Sequence, residues 1–147
     1  MTAIALLQSE WPLVVARWPP DGELADIDAY FDRYPALIHR ARLEGPIVFI
    51  TDLRRMTMSA TTATKRKRVA DRSAETLKQL KPLIQREAVL ASSAWAKASL
   101  TAVFMFAKPE WPLRVFTDEQ EARAWLAEVE PTVRQAPTPP VGGSALR

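Results

Sequence analysis

The residues with the most chemical potential are basic. Arg54, Arg55, Lys65, Arg66, Lys67, Arg68 and Arg72 fall within 19 positions, with Asp52 and Asp71 as the acids nearby in sequence. Four consecutive cations, residues 65–68, cannot share one helix face and fan around the axis. Positive charge in a first helical turn opposes the helix dipole. A bound anion, an acidic partner or a membrane surface would offset that cost. The seven are therefore candidate anion- or partner-binding residues. A solvated helix, with Glu75 and other acids nearby in space, is the plainer alternative. No glycine-rich loop supports a nucleotide. Aromatic residues do not interleave with the cations, which argues against single-stranded nucleic acid.

The remaining polar residues offer less. His39 is the sole imidazole. It adjoins Ile38 on an apolar stripe, and no Gly-x-Ser-x-Gly elbow or other activated nucleophile accompanies it. It reads as a surface or boundary residue. Asp28 and Asp32 share a helix face at i,i+4, but with Asp26 they are explained by dipole complementarity without a metal. Asp52 ends an apolar strand, where ligands of open parallel sheets gather. Pairing with Arg54 or Arg55 is its simpler role. The chain has no Cys, which removes disulfides, thiolate metal sites and cysteine nucleophiles. The expectation is a protein without catalytic residues, metal or cofactor, and so not an enzyme.

A second feature is apolar. Residues 94–107 form a helical stretch that is hydrophobic nearly all round, carrying Trp95, Phe104, Met105 and Phe106. Such a helix is ordinarily buried in a core or against a second copy of the chain. Core packing is the simplest reading. A self-association surface, or one wall of a pocket for a lipophilic ligand, are the others. Trp11, Trp18 and Trp111 stand beside prolines at strand edges, where they serve contact surfaces or lid a core.

The elements that must position these residues alternate. Residues 4–8 and 13–17 read as two strands joined by a turn at Trp11-Pro12. Leu24, Ile27, Phe31, Tyr34 and Ile38 recur at helical spacing, with a kink expected at Pro35. Residues 47–52 form a continuous apolar run, the pattern of a central strand buried on both faces. Ser59, Thr61, Thr62 and Thr64 offer caps for a long helix starting near 61 or 62. Its inner stripe is Val69, Ser73, Leu77, Leu80 and Ile84, and it ends near Pro82. Residues 87–92 read as a strand, and 113–116 as a last one. Thr117 to Gln120 reads as a capping box for a final helix with Ala122, Trp125, Leu126 and Val129 on its core face. The expected fold is a single α/β domain over residues 1–130. Its order is ββαβαβαβα, giving a mostly parallel five-stranded sheet with an N-terminal antiparallel hairpin. Residues 131–147, rich in Pro and Gly, read as a disordered tail. The tetrapeptide Glu10-Trp11-Pro12-Leu13 recurs as Glu110-Trp111-Pro112-Leu113, each time ahead of a strand.

Composition bounds the rest. With 147 residues, 48% hydrophobic and 25% charged, the chain is an ordinary globular protein. Of the formal net charge of +3, Arg134 and Arg147 supply two, leaving +1 for residues 1–130. That is not the single-sign field of a dedicated nucleic-acid binder. No signal segment is apparent, and the most apolar stretch, 100–107, is far shorter than the roughly 20 residues of a membrane span. A cytoplasmic protein is expected. Abundant Arg and Ala fit a GC-rich bacterial genome.

This layout resembles the STAS fold of bacterial anti-sigma-factor antagonists, and more closely its divergent SpoIIAA-like branch, grouped with lipid-binding CRAL-TRIO domains. The resemblance spans roughly residues 3–130. Its carriers are the strand from Trp11-Pro12 to Val15, the run 47–52 followed by Leu53-Arg54-Arg55, and the basic helix start at 65–68. Residues 98–103 and Arg114-Val115-Phe116 ahead of Asp118 to Ala122 complete it. The resemblance implies a regulatory module acting through a protein partner or through itself as a homo-oligomer. Its CRAL-TRIO side implies a lipophilic small-molecule ligand instead. In regulatory STAS proteins a Ser at the start of the helix after the central strand is phosphorylated, in an Asp-Ser-Ser/Ala-Gly context. Ser59 is the counterpart here, without the preceding Asp and the following Gly.

Overall fold

The apolar run after Gly45-Pro46 becomes β3 (Ile47–Asp52), the middle strand of one sheet. The computed structural model describes residues 3–57, 62–107 and 109–129. Strands β1 (Ala5–Glu10), β2 (Leu13–Arg17), β3, β4 (Ile84–Leu90) and β5 (Leu113–Phe116) lie side by side in chain order. β1 and β2 are antiparallel, and every later pair is parallel. This is the expected α/β domain with an N-terminal hairpin. β4 begins at Ile84, three residues ahead of the expected start, so Ile84 belongs to the sheet and not to the helix stripe before it.

The stripe from Leu24 to Ile38 is broken rather than kinked. It forms α1 (Leu24–Asp32) and α2 (Tyr34–Glu44), with Arg33 between them and Pro35 in the first turn of α2. Proline lacks the N–H that would continue α1, and its ring clashes with the carbonyl four residues back. In a first helical turn neither cost arises. The element order is therefore ββααβαβαβα. Gly45 closes α2 with φ 110°, a conformation that a Cβ disfavours, and the chain turns there into β3.

Each parallel crossover advances one strand in the same direction, which places the intervening helices on one face. Alternation along the strands separates two cores. Val14, Ala16 and Phe49 pack with Ile27, Phe31, Tyr34, Leu37 and Ile38 of α1 and α2. Val15, Val48, Ile50, Ala88 and Leu90 pack on the other face against Ala122, Leu126 and Val129, contributed by and just beyond α5 (Glu119–Ala127). The oxygen that caps α5 comes from Asp118, which accepts from the N–H of Gln120 at 3.1 Å, and not from Thr117.

The two remaining helices depart from simple core packing. α3 (Ala63–Leu80) is capped by Thr62, whose hydroxyl accepts from the N–H of Lys65. It rests chiefly on α1 and α2, not on the sheet. Of its expected inner stripe, Leu80 is buried, Val69 and Ser73 are half-buried and Leu77 is 39% exposed. α4 (Ala94–Ala107) was expected to be buried, yet Trp95 and Met105 are each 75% exposed. Ala96 and Leu100 alone pack it onto the small cluster of Val89, Ala91 and Val115, among the described residues. No helix among the described residues is long and apolar enough to cross a membrane.

Candidate functional site

Because α3 stands off the sheet, a cavity of about 570 Å³ opens beneath it. Phe49, Thr51 and Glu87 form its sheet wall. Val69, Ser73 and Thr76 form its helical wall, and Trp18, Tyr30 and Trp111 close its sides. Loop residues Leu53 and Met56, and Leu100 of α4, also reach it. The lining is overwhelmingly apolar and aromatic. Along β4 the alternation puts Ala88 and Leu90 on the α5 face and Glu87 and Val89 on the opposite one.

Glu87 is the exception in that wall. The Thr51 hydroxyl donates to its Oε2 at 2.6 Å, and the Trp111 indole N–H donates to its Oε1 at 2.9 Å. It lies deep between sheet and helices but borders open cavity, so it remains partly accessible. Burial pushes its carboxyl above the ordinary value, although the Thr51 and Trp111 bonds pull the other way. Above it, Tyr30 and Tyr34 are hydrogen-bonded hydroxyl to hydroxyl, and burial, the largest cause, raises both phenols.

Asp52, at the carboxyl end of β3, is a closed site by contrast. It is 6% exposed. Arg54 donates to its two oxygens at 2.9 Å each and through its backbone N–H at 3.0 Å. Arg17 donates at 2.6 Å. Glu119, at the start of α5, joins through Arg54 at 2.9 Å, Arg123 at 2.9 Å and Arg17 at 3.4 Å. Burial alone would raise Asp52, but the bonds from Arg54 and Arg17 outweigh it and hold the carboxyl below its usual value. Pairing with Arg54 is as the sequence indicates; Arg17, from the hairpin, is an addition that sequence distance hid.

Arg68, Arg72, Lys67 and Lys65 of the basic run are likewise paired with acids of the same chain. Arg68 pairs with Asp28, and Arg72 bridges Asp28 at 3.0 Å and Asp32 at 2.8 Å. Lys67 pairs with Asp71 at 2.8 Å, and Lys65 with Glu23 at 3.7 Å. Lys65 and Arg66 also border the cavity from the first turn of α3. His39 lies exposed on α2. Groups of three or more His, Cys, Asp or Glu suited to a metal ion are absent among the described residues.

The repeated tetrapeptide has one structural role at both sites. The Pro12 carbonyl accepts from Val48 N–H at 3.1 Å, and the Pro112 carbonyl accepts from Glu87 N–H at 2.9 Å. Each proline thus enters its strand by offering an acceptor to the parallel neighbour, where its missing N–H costs nothing. Trp11 stacks under the Arg40 guanidinium, 3.9 Å from the ring centroid. Trp111 reaches the cavity.

Comparison with known proteins places this geometry. The SpoIIAA-like family model matches residues 13–127. The chain belongs to the SpoIIAA-like family. Its fold is similar to the crystal structure of an uncharacterized protein of the DUF3478 family from Shewanella loihica PV-4, described as having a SpoIIAA-like fold. The TM-score is 0.60 at 14% identity, over 84% of this chain and 92% of that one. No curated protein matches the chain. In this SpoIIAA-like chain the candidate phosphorylation site, Ser59, lies outside the described residues, as does the tail 131–147. Phe104 and Phe106 lie on α4, while the described side chains of that apolar surface are Trp95 and Met105. Sequence reasoning singled out neither Glu87 nor Thr51. The one available signal was an acid directly ahead of the apolar run Ala88-Val89-Leu90 in β4.

Proposed function

We propose that this SpoIIAA-like protein is a non-catalytic binding module that holds one lipophilic small molecule in the cavity beneath α3. The observation that carries the reading is the cavity itself. Its volume of about 570 Å³ falls in the roughly 300–1,000 Å³ range of small-molecule sites, which are mostly apolar with a few convergent polar groups. Thr51, Glu87 and the Tyr30–Tyr34 pair are those groups here. A lipophilic ligand is also what the resemblance to the branch grouped with CRAL-TRIO domains implies.

Native mass spectrometry and a neutral fluorescent probe, N-phenyl-1-naphthylamine, test it. The expected result is a saturable fluorescence gain, competed by extracts of the molecule that co-purifies. Ser73→Phe, which places a ring into the cavity from α3, is expected to weaken probe binding at least tenfold. Absence of both retained mass and probe binding overturns the reading.

A second reading, a contact with a partner protein or a second copy through α4, is favoured by the exposure of Trp95 and Met105. Exposed apolar side chains mark an interaction surface where they join in one patch.

A further inference from the structure

We propose that the cavity selects amphiphiles whose polar end is a hydrogen-bond-donating cation, a long-chain primary amine first among them, and that Glu87 receives that end. The inference rests on the ligand-binding reading above and names the ligand's chemistry.

Glu87 is the one carboxylate among the described residues that line the cavity. Thr51 and Trp111 each supply a single donor, one to each carboxylate oxygen. An ionised carboxylate offers about four lone-pair positions, so acceptor capacity remains on the cavity side. No ion pair reaches Glu87 among the described residues, whereas Asp52 is paired with both Arg17 and Arg54. A buried carboxylate without a cation is costly, and its proton affinity rises in response. The fold therefore keeps, on the wall of a mostly apolar cavity, a carboxyl with no ion-pair partner among the described residues.

An alkylammonium supplies the missing charge and three N–H donors. Its chain fills the apolar remainder of the chamber. Trp18, Tyr30, Phe31 and Trp111 also line the cavity, and aromatic faces attract an ammonium group when it is desolvated. A fatty carboxylate shares the chain contacts but brings no N–H donors, no charge for the aromatic faces, and a like charge to Glu87. The cations Lys65 and Arg66 stand on the helical wall, not on the sheet wall that carries Glu87. A positive head is thus turned away from α3 and toward β4.

Binding of dodecylamine, dodecan-1-ol and dodecanoate, each below its micelle concentration, would be measured by calorimetry on the full chain and on Glu87→Gln. In the wild type the amine is expected to bind about tenfold more tightly than the alcohol, and dodecanoate more weakly than either. Glu87→Gln is expected to erase the amine's advantage while leaving the alcohol within about threefold. The wild-type protein provides a check that needs no variant. Its preference for the amine over the alcohol is expected to shrink as the pH is lowered and Glu87 takes up a proton. Dodecanoate binding as tightly as the amine places the head at Lys65 and Arg66 and overturns the proposal. So does an amine preference that is indifferent to pH or survives Glu87→Gln. Tight, equal binding of alcohol and amine overturns the headgroup assignment and leaves the cavity reading standing. Failure of all three to bind overturns both.

Discussion

Two carboxyls among the described residues, Asp52 and Glu87, are shifted in opposite directions, and their surroundings explain why. Asp52 is enclosed by the Arg54 and Arg17 guanidiniums, and the net result is a carboxyl held low. Its ionised form is favoured by folding, so the unfolded chain binds more protons in acid. The stability it contributes is present above the unfolded value near 3.8 and is lost as the pH falls through the folded value. Asp52→Ala leaves two guanidiniums without that partner and is expected to cost about 3 kcal/mol, read as a shift in the urea midpoint. Glu87 has the reverse sign. Burial raises its carboxyl, so its protonated form is favoured by folding. Stability then falls as the pH rises from the unfolded value toward the folded one. Glu87→Gln is expected to raise the thermal midpoint at neutral pH and to flatten the decline, checked by melting curves across the pH range. Asp52 was legible because Arg54 follows it two positions later. Glu87 was not, because Thr51 and Trp111 lie 36 and 24 positions away and only the folded sheet brings them together.

Among the elements, α4 shows where pattern and position part. Its composition says core, yet among the described side chains Ala96 and Leu100 alone pack onto the cluster beneath it, where β5, at the edge of the sheet, offers a narrow platform. The difference is measurable. Leu100→Ala is expected to lower stability by about 1–2 kcal/mol, in keeping with a half-buried leucine. Trp95→Ser is expected to leave stability within about 0.5 kcal/mol and to reduce any self-association seen by sedimentation velocity. The other helices were legible in place if not in detail. Pro35 was read as a kink and is a boundary, since proline ends one helix as readily as it begins the next. Of the stripe on α3, Ile84 belongs to β4, Leu80 is packed in the core, and Val69, Ser73 and Leu77 border the cavity. Periodicity reports which side of a helix is apolar and says nothing of whether that side touches anything.

At the scale of the whole molecule, strand order follows chain order from β1 to β5. A strict alternation of strands and helices, read from the N-terminal hairpin onward, was enough to anticipate the parallel sheet. The cavity was not legible at this scale, because its size depends on how far α3 is carried off the sheet by α1 and α2. The sequential order has a consequence for a chain made from its N-terminus. Each strand emerging during synthesis finds its neighbour already in place, so the sheet can grow by one edge at a time without waiting for distant residues. One face is covered along the way, as every crossover helix lands on it. The other face, with Val15, Val48, Ile50, Ala88 and Leu90, stays bare until α5 arrives. A chain ended at residue 117 is therefore expected to be insoluble and the full chain soluble, which sedimentation of cell lysates would show. Of the described helices, α5 is the one that turns a sticky nascent sheet into a covered one.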